Sequence, residues 1–351
     1  MQITSYKSGD HTTLSRLCTE LPSYHNLCYP DFVDYYYGST DWCKLWMMQD
    51  DSERVFGVVG VEKMPFSTPA GDVELGFGSN FYAFQSGAGA FLFLHWAREC
   101  DFGIQFGGSE DARRLVDHQK WTRLTGIQTL QMNAAWAEPP GEANWRRAAK
   151  LLLRHIPLRT RVDSRAREML RQGGLPIEAV PETCFTSDMR VKESAYDVRF
   201  NPGVDYLNWR YATDLEFVRY HVFRLVLNGQ TCGSVVLNEQ PHRVLVSHAD
   251  ASDPWVLSQG IFAALARVCT GRMRGCGVMA VSSCPVIQSA LTQAGFSVRS
   301  KGRDIAIGGP RKQPGFTTDT SQWLINFDWG DNGLRAPFLG QSRLEQASAA
   351  A

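Results

Sequence analysis

Short apolar runs joined by polar turns occur twice along the chain in the same arrangement. Leu45–Met48 reads as a strand, Asp50–Glu53 as a turn and Val55–Val61 as the returning strand. Far downstream, Val222–Leu227, the pair Asn228-Gly229 and Cys232–Leu237 repeat that arrangement, and Asn-Gly between apolar runs is a strong hairpin signal. An offset of 176 residues places Gly57 on Gly233, and one of 175 places Phe102–Phe106 on Gly277–Val281. The spacing from Phe106 to Trp121 is 15 residues, as it is from Val281 to Phe296.

Each half therefore predicts a helical start, a hairpin, a third strand, a helix, a strand, a helix and a last strand. The third strands are expected at Val73–Phe84 and Val244–Ala249, and the helices after them at Gly89–Cys100 and Gln259–Val268. Self-similarity at such constant spacing predicts an α/β fold with a mixed sheet, present as two copies. The expected divisions are a first domain at 1–131, a helical connector at 132–195, a second domain at 196–330 and a frayed tail at 331–351.

Charge changes this picture only locally. Lys plus Arg and Asp plus Glu number 36 each, so no global field recruits a polyanion. Between 146 and 171, however, nine basic residues face two acidic ones. Arg146, Arg147, Lys150 and Arg154 open that run, as a candidate polyanion surface or simply a solvated helical face. Hydrophobic residues are 44% of the chain, which is globular composition. The longest apolar stretch, Ala88–Ala97, is too short for a bilayer and the first residues do not read as a secretory signal. Nine cysteines without a C-x-x-C pair predict free thiols in a reducing cytoplasm, and no metal site is expected.

This order of elements resembles the GNAT superfamily of N-acyltransferases, here in tandem. Gly295-Phe296 looks like the family's Gly-aromatic step into its last strand, with Lys120-Trp121 as a looser equivalent. The resemblance implies a loop of pattern R/Q-x-x-G-x-G/A between the central strand and its helix, binding the pyrophosphate of coenzyme A. Phe84, Gln85, Ser86, Gly87, Ala88, Gly89 and Ala90 stand in that place. The glycines match, while the first position falls on Phe84 and Gln85 comes one place late. Glycines let backbone N–H groups converge on an anion at a helix N-terminus, although small residues equally suit a plain strand-to-helix turn. In the second half Ser252–Trp255 set acidic and bulky groups there, so that copy is expected to lack the donor loop.

Amide formation requires deprotonation of an ammonium and protonation of a leaving group. The family's usual tyrosine on the last helix corresponds to Val116 and Leu291, so other groups must serve. Glu74 on the central strand is a candidate base or a solvent-face carboxylate. His118 is a candidate acid or a solvated helix end. Ser79, Asn80 and Tyr82 are candidates to line the acceptor site. Tyr36, within Tyr35-Tyr36-Tyr37, either shapes that pocket or packs in the core.

The expected activity is transfer of an acyl group from acyl-CoA to the amine of a small molecule by direct attack, without metal. Two alternatives accompany it. One draws the acyl group from aminoacyl-tRNA, as the similarly doubled Fem family does, with tRNA on the basic connector. The other is a non-catalytic ligand-binding scaffold.

Overall fold

The computed structural model describes residues 2–22, 25–132, 176–241, 243–268, 277–301, 305–309, 313–325 and 336–338. Arg146, Arg147, Lys150 and Arg154 of the connector lie outside the described residues. Among the described residues no helix is long and apolar enough to cross a membrane.

The architecture is α/β with two mixed sheets. In the first, β1 (Gln2–Ser5), β2 (Cys43–Gln49), β3 (Val55–Thr68), β4 (Gly71–Ala83) and β5 (Phe102–Phe106) are laid side by side in that order. The helices of this half are α1 (Ser15–Glu20), α2 (Pro30–Val33), α3 (Ala88–Trp96) and α4 (Glu110–His118), with a π-helical turn, Asp34–Gly38, after α2. Two short strands, β6 (Thr122–Leu124) and β7 (Gln128–Met132), follow α4.

Next come β8 (Ile177–Glu182), a strand within the 132–195 stretch expected as a helical connector, β9 (Val198–Phe200) and α5 (Val204–Arg210). The second hairpin is β10 (Arg219–Leu227) and β11 (Gln230–Gln240), followed by β12 (Arg243–Ala251), α6 (Pro254–Val268), β13 (Gly277–Ser282), α7 (Pro285–Gln293) and β14 (Ser297–Lys301). Asn228 and Gly229 both take positive φ, 52° and 77°, which is the turn that joins twisted strands with two residues.

Both α4 and α7 close in one way. Trp121 N–H bonds Val116 C=O at 3.1 Å and Phe296 N–H bonds Leu291 C=O at 3.0 Å, each across a left-handed residue, Lys120 or Gly295. This is the six-to-one closure of a helix end, and it equates the two Gly-aromatic steps seen in the sequence.

The sheets exchange their last strands. β7, the end of the first repeat, lies in the second sheet between β13 and β14, antiparallel to both. β15 (Ile305–Gly308) lies in the first sheet between β5 and β6. β9 also joins the first sheet, pairing Phe200 with Phe66 and Arg199 with Ser67. The sheets therefore do not follow the divisions at 131 and 196.

α3 covers one face of the first sheet, burying Leu92, Phe93 and Trp96 with Val59, Val61 and Trp121. α6 and α7 cover one face of the second, burying Leu257, Ile261, Ile287 and Leu291. The remaining faces share a cluster that joins Val58 and Phe77 of the first sheet to Val222, Val236 and Met279 of the second, through Phe32, Tyr36 and Trp209. Burial of this apolar surface is the main force docking the halves.

Candidate active site

Strands β4 and β5 are parallel neighbours for only three pairs, Leu75–Phe102, Gly76–Gly103 and Phe77–Ile104. β4 then continues for six residues, 78–83, without β5 beside it. A bulge accompanies the parting. Val58 faces Tyr82 but Gly60 faces Ser79, and Asn80 takes a φ of +47° to accommodate the extra residue. Bulges bend a strand and raise its twist, so this one turns β4 away from β5 and opens a notch with a backbone edge along one wall.

The notch leads to the segment Phe84–Gly87, which is exposed. Phe84 N–H bonds Phe56 C=O at 2.9 Å, fixing the strand end. Gly87, at φ +82°, is the N-cap of α3 and supplies no side-chain cap, and a Cβ there would have no atom within 4 Å. The left-handed turn thus starts a nine-residue helix without a side-chain cap. Its first amides are met by the backbone itself, Ala88 N–H on Gln85 C=O at 3.2 Å and Ala90 N–H on Gly87 C=O at 3.1 Å, with the positive end of its dipole toward the exposed residues 84–87. An anion fits this place without a cationic side chain.

The corresponding helix of the second half is closed. Asp253 Oδ1 accepts from Trp255 N–H at 2.8 Å and Val256 N–H at 3.0 Å, so a carboxylate of the chain already occupies the anion position. β12 and β13 also part after three pairs, Arg243–Gly277, Val244–Val278 and Leu245–Met279. A notch without free amides results.

Three of the four expected acceptor residues meet at the first notch. Tyr37 Oη accepts from Asn80 Nδ2 at 2.6 Å and lies 3.3 Å from Ser79 Oγ. Gly60 makes room for this group, since a Cβ there would come within 2.7 Å of the Tyr37 hydroxyl. Tyr82 Oη is 2.8 Å from His25 Nε2. His25 Nδ1 accepts from Leu27 N–H at 3.2 Å, so the neutral ring carries its proton on Nε2 and donates it to Tyr82. Tyr37 belongs to the Tyr35-Tyr36-Tyr37 run read in sequence as pocket or core, while His25 carries no sequence signal; each is brought to β4 by the folding of the segment 25–38 across the sheet.

The other expected site residues lie elsewhere. Tyr36 is 1% exposed and packs against Phe32, Trp209 and Phe217 in the shared core. Neighbouring helical positions point in different directions, and here Tyr37 faces β4 while Tyr36 faces the second half. Glu74 stands before the parting, 3.8 Å from Lys63 Nζ, with its backbone N–H on Asp101 Oδ2. His118 is exposed at the end of α4. The structure brings neither Glu74 nor His118 to the notch. Val116 and Leu291 are fully buried.

Buried charge ties the halves together beside this site. Arg210 Nε donates to Glu62 Oε1 at 2.8 Å and Arg210 Nη1 to Tyr220 Oη at 3.2 Å, while Tyr206 Oη also bonds Glu62 Oε1. Burial and the Glu62 charge hold the Tyr206 phenol protonated, well above its ordinary range. Cys18, on α1, has its thiol pushed up to about 12, chiefly by burial and then by Cys28.

No protein-family model matches the sequence, and no curated protein matches it. In structure the chain is similar to a conserved protein of unknown function from Enterococcus faecalis V583, described as a probable N-acyltransferase. The TM-score is 0.52 at 6% identity, over 87% of this chain and 71% of that one. It is also similar to a GCN5-related N-acetyltransferase from Anabaena variabilis ATCC 29413, with a TM-score of 0.50 at 10% identity over 87% and 72%. A tandem GNAT protein from the clavulanic acid biosynthesis pathway aligns over 89% of this chain and 99% of its own, with a TM-score of 0.49 at 10% identity. The chain has the GNAT fold.

Proposed function

We propose that the protein is an N-acyltransferase that moves an acyl group from acyl-CoA to the amine of a small molecule, with the donor held in the first half alone. The observation that carries this reading is the pairing of an open notch with an uncapped helix N-terminus in the first half, against the self-capped helix of the second. Phosphates suit the positive, uncapped start of α3 at Gly87–Gly89, and an extended amide-bearing chain suits the free edge of β4. The coenzyme supplies an activated thioester and a thiol leaving group.

The protein's own residues do the remaining work. Backbone N–H groups on β4 beyond Phe77 are placed to polarise a carbonyl lying in the notch. Tyr82 Oη, which accepts from His25 Nε2, would give its own proton at the notch, with the His25 hydrogen bond steadying the phenolate until it takes up the proton that the acceptor amine loses, the task that a tyrosine at 116 would perform in the family. Tyr37, held by Asn80, presents a buried hydroxyl group for orienting the acceptor.

Thermal stability with and without coenzyme A and acetyl-CoA tests the donor assignment. A ligand at 100 times its dissociation constant stabilises by about 2.7 kcal/mol, and Gly87→Asp should abolish the shift by placing a carboxylate where the phosphates bind. Absence of any shift with either ligand excludes the reading. Tyr82→Phe should then lower kcat by roughly 10²–10⁴ while leaving coenzyme binding intact.

A further inference from the structure

Two thiols meet beside His25. Cys18 lies in the last turn of α1, Cys28 ends the single turn Asn26–Cys28, and both are half-buried. Cys18 Sγ donates to Leu27 C=O at 3.3 Å. Cys28 Sγ lies 3.9 Å from Cys18 C=O and 3.8 Å from Pro22 C=O, the second of these contacts being exposed. The two sulfurs also touch each other through a hydrogen bond. Thiols in such contact need only a local adjustment to reach the disulfide bond length of about 2.05 Å.

The same few atoms aim His25. Its C=O accepts from Cys28 N–H at 2.9 Å and its Nδ1 from Leu27 N–H at 3.2 Å. Leu27 C=O is held in turn by Cys18 Sγ and by His11 Nε2 at 2.9 Å. At the far end of the ring, His25 Nε2 meets Tyr82 Oη at 2.8 Å, with the two rings edge to face and their centroids 5.0 Å apart. A disulfide carries no S–H. Joining Cys18 to Cys28 removes the Cys18 donor from Leu27 C=O and both contacts of the Cys28 thiol with backbone carbonyls, and it draws the end of the turn toward α1. The N–H groups of Leu27 and Cys28 move with that turn, and they are the groups that orient the imidazole.

We propose that Cys18 and Cys28 form a reversible modification site for a small disulfide of the glutathione class, and that closing it withdraws His25 from Tyr82. The chemistry balances in two exchanges. The Cys28 thiolate attacks one sulfur of the small disulfide, which gives a mixed disulfide and releases a thiolate that takes up the proton Cys28 lost. The Cys18 sulfur then attacks the Cys28 sulfur, and its proton passes to the second departing thiolate. Two cysteines are oxidised and one small disulfide is reduced to two thiols. Cys28 is the point of entry because Cys18 is held protonated, its pKa pushed up to about 12 by burial and then by Cys28. The Cys28 contribution ends once Cys28 is in the mixed disulfide, which favours the second exchange. The consequence for activity rests on the acyl-transfer reading: the oxidised protein lacks the hydrogen bond that steadies the Tyr82 phenolate.

The full-length protein, isotope-labelled at the histidine nitrogens, is treated with oxidised glutathione and then with dithiothreitol. Peptide mapping of the natively treated protein should show a Cys18–Cys28 link and no other, reversed by dithiothreitol. The His25 Nε2–H resonance, identified by its absence in His25→Gln, should shift on oxidation and return on reduction. Cys18→Ser keeps a donor for Leu27 C=O and should stop at the mixed disulfide on Cys28. Cys28→Ser should take up no glutathione at Cys18 and leave the His25 resonance where it was. A native protein that forms no link, a link to a different cysteine, or a link that leaves the His25 resonance in place overturns the proposal. Neither readout uses coenzyme A, so failure here leaves the donor assignment standing, and absence of a coenzyme A shift leaves the thiol site standing.

Discussion

Strands β4 and β12 hold corresponding places in the two sheets. Each parts from its parallel neighbour after three residue pairs, and each carries a bulge against the strand before it. Their surroundings have diverged. β4 leads through exposed residues to a left-handed Gly87 and a helix start without a side-chain cap, with Ser79, Asn80 and Tyr82 along its length. β12 leads to Asp253, which caps its own helix, and bears Ser247, His248 and Asp250, all buried. One backbone framework thus yields two electrostatic outcomes. Where the chain supplies its own carboxylate, the anion position at the helix end is filled internally; where it supplies glycine, no side-chain cap competes with a ligand for it.

The sharpest way to break this comparison is to separate the halves. Residues 1–131 alone lack β15, so β5 and β6 lose the strand that lies between them, and Ile305 and Ile307 no longer fill the core. The expected outcome is failure of that fragment to give dispersed amide resonances, recovered when it is coexpressed with residues 132–351. A dispersed spectrum from 1–131 alone would show the exchange to be dispensable.

Arg210→Met should have the next largest effect. It leaves Glu62 buried without its counter-charge, at a cost of about 3–5 kcal/mol in denaturant unfolding. Glu62→Gln with Arg210→Met should recover much of the loss, because the uncompensated charge is then gone.

Titration of the second half's strand gives a graded test. Asp250 is raised from 3.8 to about 7, so the native state holds more protons than the unfolded state in that window and stability falls as pH rises through it. His248 is lowered from 6.5 to about 3, so there the unfolded state holds more protons and stability rises with pH. The slopes oppose one another between about pH 4 and 6.5, by about 1.4 kcal/mol per pH unit each. His248→Asn should expose the falling slope from pH 4 to 7, and Asp250→Asn the rising slope from pH 3 to 6.5, in urea midpoints measured across pH. A profile unchanged in both variants would remove the charge argument for this cluster.

The smallest expected effect sharpens the contrast between the helix ends. Asp253→Ala removes a cap and should cost about 1 kcal/mol in thermal unfolding. No capping side chain exists at Gly87 to lose.

Much of the fold was legible in sequence because it rests on local signals. The Asn228-Gly229 turn needs two residues of positive φ, and the Gly295 step needs one, so both announce themselves. The repeat spacing located the helices after β4 and β12 within a few residues, though α6 begins at Pro254, before the expected Gln259, because Asp253 extends it by a capped turn. The glycines of the 84–90 segment were legible for the same reason. The proton-bearing groups were not. Glu74 and Ser79 lie on one strand, and only the place where β5 stops pairing tells which of them borders the notch. His25 and Tyr37 come from a segment with little sequence periodicity, and its path over β4 is decided by packing.

By itself, then, the sequence determined the duplicated α/β plan, the hairpin turns and the glycine-bearing helix start, each of which is encoded within a few neighbouring residues. Only the tertiary structure decided that β7 and β15 change sheets, that Tyr37 rather than Tyr36 reaches Asn80, and that Arg199 meets Asp250 across the seam. Those outcomes join residues about 40 to 200 positions apart, and they follow from which apolar faces bury one another best rather than from any local preference.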